Sequence, residues 1–120
     1  MSFAAAEACD PVARVVALVP DLMLASRVEA TLAGAGHEVT LDSGHGAELS
    51  ADADLIVADV GEVDPASVVK RGKPVLGFYR HTDPEQRRRA EAAGVDMVVP
   101  RSRLARELPE LVERLLRDAD

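Results

Sequence analysis

Short apolar runs alternate along this chain with helical patterns, and the alternation predicts its elements. Val15-Val16-Ala17-Leu18-Val19 is apolar at every position, as a strand covered on both faces requires. Pro20 ends it, and Asp21 is placed to cap a helix. Leu24, Val28, Leu32 and Ala35 then recur at helical spacing, with Arg27 and Glu29 off that stripe. Gly34 and Gly36 stop the helix. A second strand is expected over His37 to Leu41, with Val39 and Leu41 on one face. Between Asp42 and Ala53, Gly44, Gly46 and Ser50 allow one short turn of helix at most.

Asp54-Leu55-Ile56-Val57-Ala58-Asp59 reads as a third strand. Asp64-Pro65 is a helix start, with aspartate as cap and proline at the first helical position, and Gly72 ends that helix early. Pro74 to Tyr79 is the fourth strand. Asp83-Pro84 repeats the cap-then-proline start, for a helix that runs to Ala93 and stops at Gly94. Val95 to Val99 is the fifth strand. The last helix is expected to begin near Pro109, with Leu108, Leu111, Val112 and Leu115 inward and Leu104 in a turn before it.

Five strands alternate with about five helices, the signature of a parallel sheet with crossover helices. Right-handed crossovers leave few topologies, and an α/β flavodoxin-like doubly wound sheet of order 2-1-3-4-5 is the natural choice. Ligands in such sheets sit at the carboxyl ends of the strands. The positions to inspect are therefore Val19 to Asp21, Asp59 to Gly61, Tyr79 to His81, and Pro100 to Ser102.

Composition narrows the class. At 120 residues the chain fits one domain over 13–120, preceded by a flexible tail over 1–12. A hydrophobic share of 48% argues against disorder. With no Trp, two Phe and one Tyr, the core must be built from Val, Leu and Ala. Cys9 is the only cysteine, which excludes an internal disulfide. No apolar run approaches membrane-spanning length, and the acidic start does not read as a secretory leader, so the cytoplasm is the expected location. The net charge of −7 argues against general nucleic-acid affinity. That charge is uneven. Residues 1–60 carry two basic side chains against ten acidic ones, whereas most arginines fall late in the chain.

Three stretches carry a resemblance to a known family. Val28 to Val39 ends in Ala-Gly-His-Glu-Val. Ala53 to Val60 reads Ala-Asp-Leu-Ile-Val-Ala-Asp-Val. Lys73 to Arg101 includes Glu-Ala-Gly-Val-Asp. In order and spacing they resemble the CheY-like receiver domain of bacterial response regulators, the phosphoacceptor module of two-component signal transduction. The resemblance covers nearly the whole chain from Arg14 onward.

It implies a site at the strand ends, and there the sequence departs from the family. Receivers accept a phosphoryl group on an aspartate, with Mg²⁺ held by that aspartate and an acidic pair after the first strand. Asp59 matches the acceptor. The acidic pair is replaced by Val19 and Pro20, which offer no side-chain ligand. Asp21, one residue later, offers one carboxylate, although its simpler reading is the helix cap. The Thr or Ser that contacts the phosphoryl group is replaced by Tyr79. The lysine of the fifth strand becomes Arg101, which keeps the charge and changes the shape. The following proline becomes Ser102. Pro74 follows Val60 closely, so the third of the family's helices must be short here.

These departures imply a pseudo-receiver: a non-enzymatic regulatory module acting by protein–protein interaction, with no cofactor and with Mg²⁺ at Asp21 and Asp59 disfavoured. Two alternatives remain. One is an atypical phosphoacceptor that uses Asp59, Asp21 and Arg101. The other is a small anion or nucleotide binder at the carboxyl edge, gripping with Arg80, Arg101 and backbone amides.

Arg80, Arg87, Arg88, Arg89, Arg101, Arg103 and Arg106 gather on the helix over 84–93 and around the end of the fifth strand. Either they pair locally and face solvent, or they form a docking surface for an acidic protein or a second copy of the chain. His37, His45 and His81 read as three surface histidines without ligand spacing. His81 lies on the same edge as Asp59 and has an acid–base or phosphohistidine alternative. Gly44-His45-Gly46 matches no phosphate-binding fingerprint, and Cys9 has no base beside it. Neither nucleic acid nor membrane is an expected partner.

Overall fold

Five parallel strands form one sheet in the computed structural model, which describes residues 13–42 and 53–119. The expected tail over 1–12, with Cys9, lies outside the described residues. So do the turn expected between Asp42 and Ala53 and the loop with His45. The strands are β1 (Arg14–Leu18), β2 (Glu38–Asp42), β3 (Leu55–Asp59), β4 (Val75–Tyr79) and β5 (Met97–Pro100), in the order β2-β1-β3-β4-β5. The helices are α1 (Leu22–Gly34), α2 (Pro65–Val69), α3 (Pro84–Ala93) and α4 (Arg101–Ala119). The doubly wound sheet of order 2-1-3-4-5 read from the sequence is the observed one.

Strand starts move by one or two residues from the expected bounds, each for a local reason. His37 does not join β2, because its N–H returns to the Leu32 carbonyl at 3.0 Å in the turn that closes α1. Val95 does not join β5, because its N–H is taken by the Ala90 carbonyl at 3.1 Å. That bond closes α3 at Gly94, where φ is 96° and any side chain would be strained. Asp54 precedes β3 and serves as a clip: its Oδ2 accepts the Arg14 N–H at 2.9 Å. Asp96 does the same for β4, accepting the Val75 N–H at 2.8 Å. Two carboxylates thus satisfy backbone donors at the amino edge of the sheet.

The period-two alternation of the strands divides the interior into two cores. Val15, Ala17, Leu55, Val57, Leu76 and Phe78 face α1 and α4, where Val28, Leu32, Leu104 and Leu108 meet them. Val16, Leu18, Ile56, Ala58, Val75 and Tyr79 face α2 and α3, meeting Val68 and Ala90. Every residue of β3 and β4 is buried, which explains their unbroken apolar runs. Full burial of each Val, Leu or Ile side chain contributes roughly 1.5–3 kcal/mol.

The last helix corrects an expectation. It begins at Arg101 and contains Pro109, rather than starting beside it. Leu104, Leu108, Leu111, Val112 and Leu115 form one buried stripe at helical spacing, so Leu104 belongs to the helix and not to a preceding turn. Pro109 has no N–H to give the Ala105 carbonyl, a loss of about 3 kcal/mol in an isolated helix. Five buried anchors, two before it and three after, outweigh that loss. The helix after β3 is short, as expected, and spans only Pro65–Val69.

Candidate functional site

The carboxyl ends of β1, β3, β4 and β5 meet at one edge, and Asp59 sits at its centre. Asp59 is the last residue of β3, and its carbonyl accepts the N–H groups of Glu62 at 3.0 Å and Val63 at 2.9 Å. This turn folds the chain back so that the Gly61 N–H reaches Asp59 Oδ1 at 3.1 Å. Asp59 Oδ2 takes the Arg101 Nη2 donor at 3.3 Å. The Asp59 side chain is 5% exposed and that of Arg101 35%.

Burial pushes the Asp59 carboxyl above the ordinary carboxylate range. The Gly61 N–H and the Arg101 charge pull it back only in part, and Glu62 adds to the rise. Asp59 is therefore a buried acid at a strand end, not a solvent-facing one.

Arg101 comes from the first turn of α4. Its guanidinium lies 5.9 Å from the centre of the Phe78 ring, a contact worth about 0.5–1 kcal/mol. Its Nε is buried and has no partner among the described residues. One group thus serves the carboxylate through Nη2, rests on an aromatic ring, and leaves a donor unmet.

The remaining positions of interest are turned to other tasks. Val19 is buried in the core, and Pro20 is exposed after it. Asp21 Oδ1 accepts the Met23 N–H at 3.0 Å and the Leu24 N–H at 3.2 Å, so its carboxylate is committed to the start of α1. Tyr79 packs its ring into the core on the α2–α3 side, and its hydroxyl interacts with the Arg87 guanidinium. No hydrogen bond joins it to Asp59 among the described residues. Among those residues no three His, Cys, Asp or Glu side chains gather where a metal ion would sit.

One residue at this edge escaped the sequence reading. Gln86, in the first turn of α3, turns its side chain back so that Oε1 accepts the Arg80 N–H at 3.3 Å. The same amide group lies against Gly61: a Cβ built there would come within 2.5 Å of Gln86 Oε1. Gly61 is needed for this close approach and not for an unusual φ. The available signal was the spacing Asp83-x-x-Gln86, that of a capping box. Asp83 makes no side-chain cap bond, and Gln86 reaches past it to Arg80.

The arginines divide into two groups. Arg87 pairs with Glu91 at 3.2 Å, Arg103 with Glu107 at 3.4 Å, and Arg88 with Glu85. Arg80, Arg89 and Arg106 are exposed and have no carboxylate partner among the described residues.

The histidines are not all at the surface. His81 is exposed in the turn after β4, but His37 is buried and its Nδ1 has no partner among the described residues. A separate apolar cleft of about 130 Å³ lies between α1 and α4, bounded by Leu24, Val28, Leu104 and Leu108. It is remote from the Asp59 carboxylate in character, since hydrophobic side chains make most of its wall. No described helix is long and apolar enough to cross a membrane.

No family model and no curated protein matches the sequence. Solved structures do match. Full-length FixJ from B. japonicum aligns with a TM-score of 0.78 at 21% identity, over 92% of this chain and 61% of that one. The chemotaxis response regulator CheY4 of Vibrio cholerae aligns with a TM-score of 0.69 at 23% identity, over 86% of this chain and 98% of CheY4. A CheY-like receiver domain protein from Methanospirillum hungatei gives 0.74 at 17% identity, over 88% of this chain and 94% of that one. The chain thus spans about three-fifths of FixJ and nearly all of CheY4. In strand order, layers and extent it has the fold of the response regulator receiver domain.

Proposed function

We propose that this chain is a pseudo-receiver, a signalling module that works by binding protein and not by Mg²⁺-dependent phosphorylation of Asp59. The receiver fold supports the coarse part, a signalling role. One observation carries the finer part: the carboxylate at the acceptor position is buried and has both oxygens engaged, one by the Gly61 N–H and one by Arg101.

The residues present do not fit the ion that receivers use. Mg²⁺ asks for several hard oxygen ligands in octahedral array. Here Val19 and Pro20 offer no side-chain oxygen, and Asp21 serves its helix. Arg101 supplies the positive charge that neutralises Asp59 in place of a cation. A non-enzymatic role and a cytoplasmic location belong to the same reading.

The partner surface is the face of α3, β5 and α4. Its paired arginines are locally neutralised, and Arg80, Arg89 and Arg106 are among the exposed cations there without a carboxylate partner among the described residues. The partner is an acidic protein surface or a second copy of the chain. The acidic first half of the sequence suits the second.

Incubation with acetyl phosphate and Mg²⁺, followed by intact mass, tests the site. No phosphoryl group should be gained. A gain that disappears in Asp59→Asn returns the function to the atypical phosphoacceptor. Charge reversal at Arg80 and Arg106 should abolish partner capture or self-association while the fold is kept.

A further inference from the structure

We propose that the Gln86 side-chain amide is a built-in plug, filling the carboxyl edge of the sheet between the ends of β3 and β4 and closing it to small oxyanions. The inference rests on the pseudo-receiver reading and gives that site its closing contact.

Three observations converge on it. Gln86 Oε1 accepts the Arg80 N–H, so a backbone donor facing the edge is already satisfied by an internal oxygen. The whole amide lies on Gly61, within 2.7 Å of where a Cβ would stand for each of its Cδ, Oε1 and Nε2 atoms. The Gly61 N–H, beneath it, is held by Asp59 Oδ1. An incoming oxyanion would need these N–H groups and the Arg101 guanidinium. The first is held by Gln86, the second by Asp59, and Nη2 of the third by Asp59 as well.

The arrangement also couples two distant positions. Gly61 lacks a side chain, and only that absence lets the amide lie against the turn after β3. A methyl group at position 61 would expel Gln86 as surely as truncating Gln86 itself. The amide is the far end of a flexible side chain, so its expulsion costs the fold little. Gln86 therefore acts as a positioning residue, holding the β4–α3 turn to the β3–α2 turn.

Two routes to the same open edge, and one conservative control, test the proposal. In Gln86→Ala and in Gly61→Ala, hydrogen exchange at the Arg80 amide should quicken about tenfold, as expected for loss of one hydrogen bond. In Gln86→Ala, inorganic phosphate should then shift the Arg80 and Gly61 amide signals, and leave them unmoved in the parent chain. Gln86→Glu keeps an acceptor oxygen and should keep the slow exchange. Unchanged Arg80 exchange in both opened variants, or phosphate shifts of equal size in the parent chain and Gln86→Ala, would overturn the plug. Acyl-phosphate formation in the parent chain would instead overturn the pseudo-receiver reading, and the exchange results separate the two failures. Amide dispersion of each variant verifies the fold before either readout is taken.

Discussion

At the scale of single residues, the decisive pair is Asp59 and Arg101. A carboxylate 5% exposed depends on its cation more than the cation depends on it, because Arg101 keeps water at 35% exposure. Arg101→Ala should cost about 1–2 kcal/mol in urea unfolding at neutral pH, from leaving a buried carboxylate uncompensated. Asp59→Asn should cost less than about 1 kcal/mol, since the amide oxygen can still accept the Gly61 N–H and no charge remains buried. The double variant should match Asp59→Asn. Equal costs for the two single changes would contradict this asymmetry. His37 gives a second residue-scale expectation. Burial lowers its pKa below the ordinary value near 6.5, against a smaller raising effect of Glu113. The fold therefore favours neutral imidazole. The stability this gives is complete above the unfolded pKa and is lost as the pH falls from about 6.5 toward the folded value. Denaturant midpoints should drop between pH 7.5 and pH 5, and His37→Leu should remove the part of that drop due to this ring.

Elements were legible where each carried its own punctuation. Asp21, Asp64-Pro65 and Asp83-Pro84 mark three helix starts, and Asp21 and Asp64 cap through their side chains. Gly94 marks a stop, at φ 96°. The apolar runs through β1, β3 and β4 located the strands. The start of α4 was not legible, because Pro109 carries the local signal of a first helical turn while the signal for continuity is spread over Leu104 to Leu115. Tertiary burial of that stripe outweighs the local cost of proline. Pro109→Ala should accordingly raise stability by about 1–2 kcal/mol, less than the full helix-interior cost because the half-buried ring also packs. A thermal melt checks it, and a loss of stability would mean that the helix is built around its proline. The strand-end site was legible only in part. Asp59 and Arg101 stood out by position. The commitment of Asp21 to α1, the inward turn of Tyr79 and the reach of Gln86 depend on side-chain directions that spacing along the chain does not encode.

Across the whole molecule, the sheet's two edges use carboxylates for opposite ends. At the amino edge, Asp54 and Asp96 clip strand starts by accepting backbone N–H groups. At the carboxyl edge, Asp59 is held by an N–H and an arginine. The charge left over is outward: on the α3–α4 side, exposed arginines without a carboxylate partner among the described residues, and an acidic first half of the chain. On the pseudo-receiver reading, the carboxylate at the acceptor position is closed off and the outward charge meets the partner. Titration with Mg²⁺ and then beryllofluoride, followed through the backbone amides of Asp59, Val60 and Gly61, tests this most directly. The account predicts no saturable shift at those three amides at millimolar Mg²⁺, and none on adding beryllofluoride. Saturable Mg²⁺ binding there, with a further shift on beryllofluoride that Asp59→Asn removes, would contradict it.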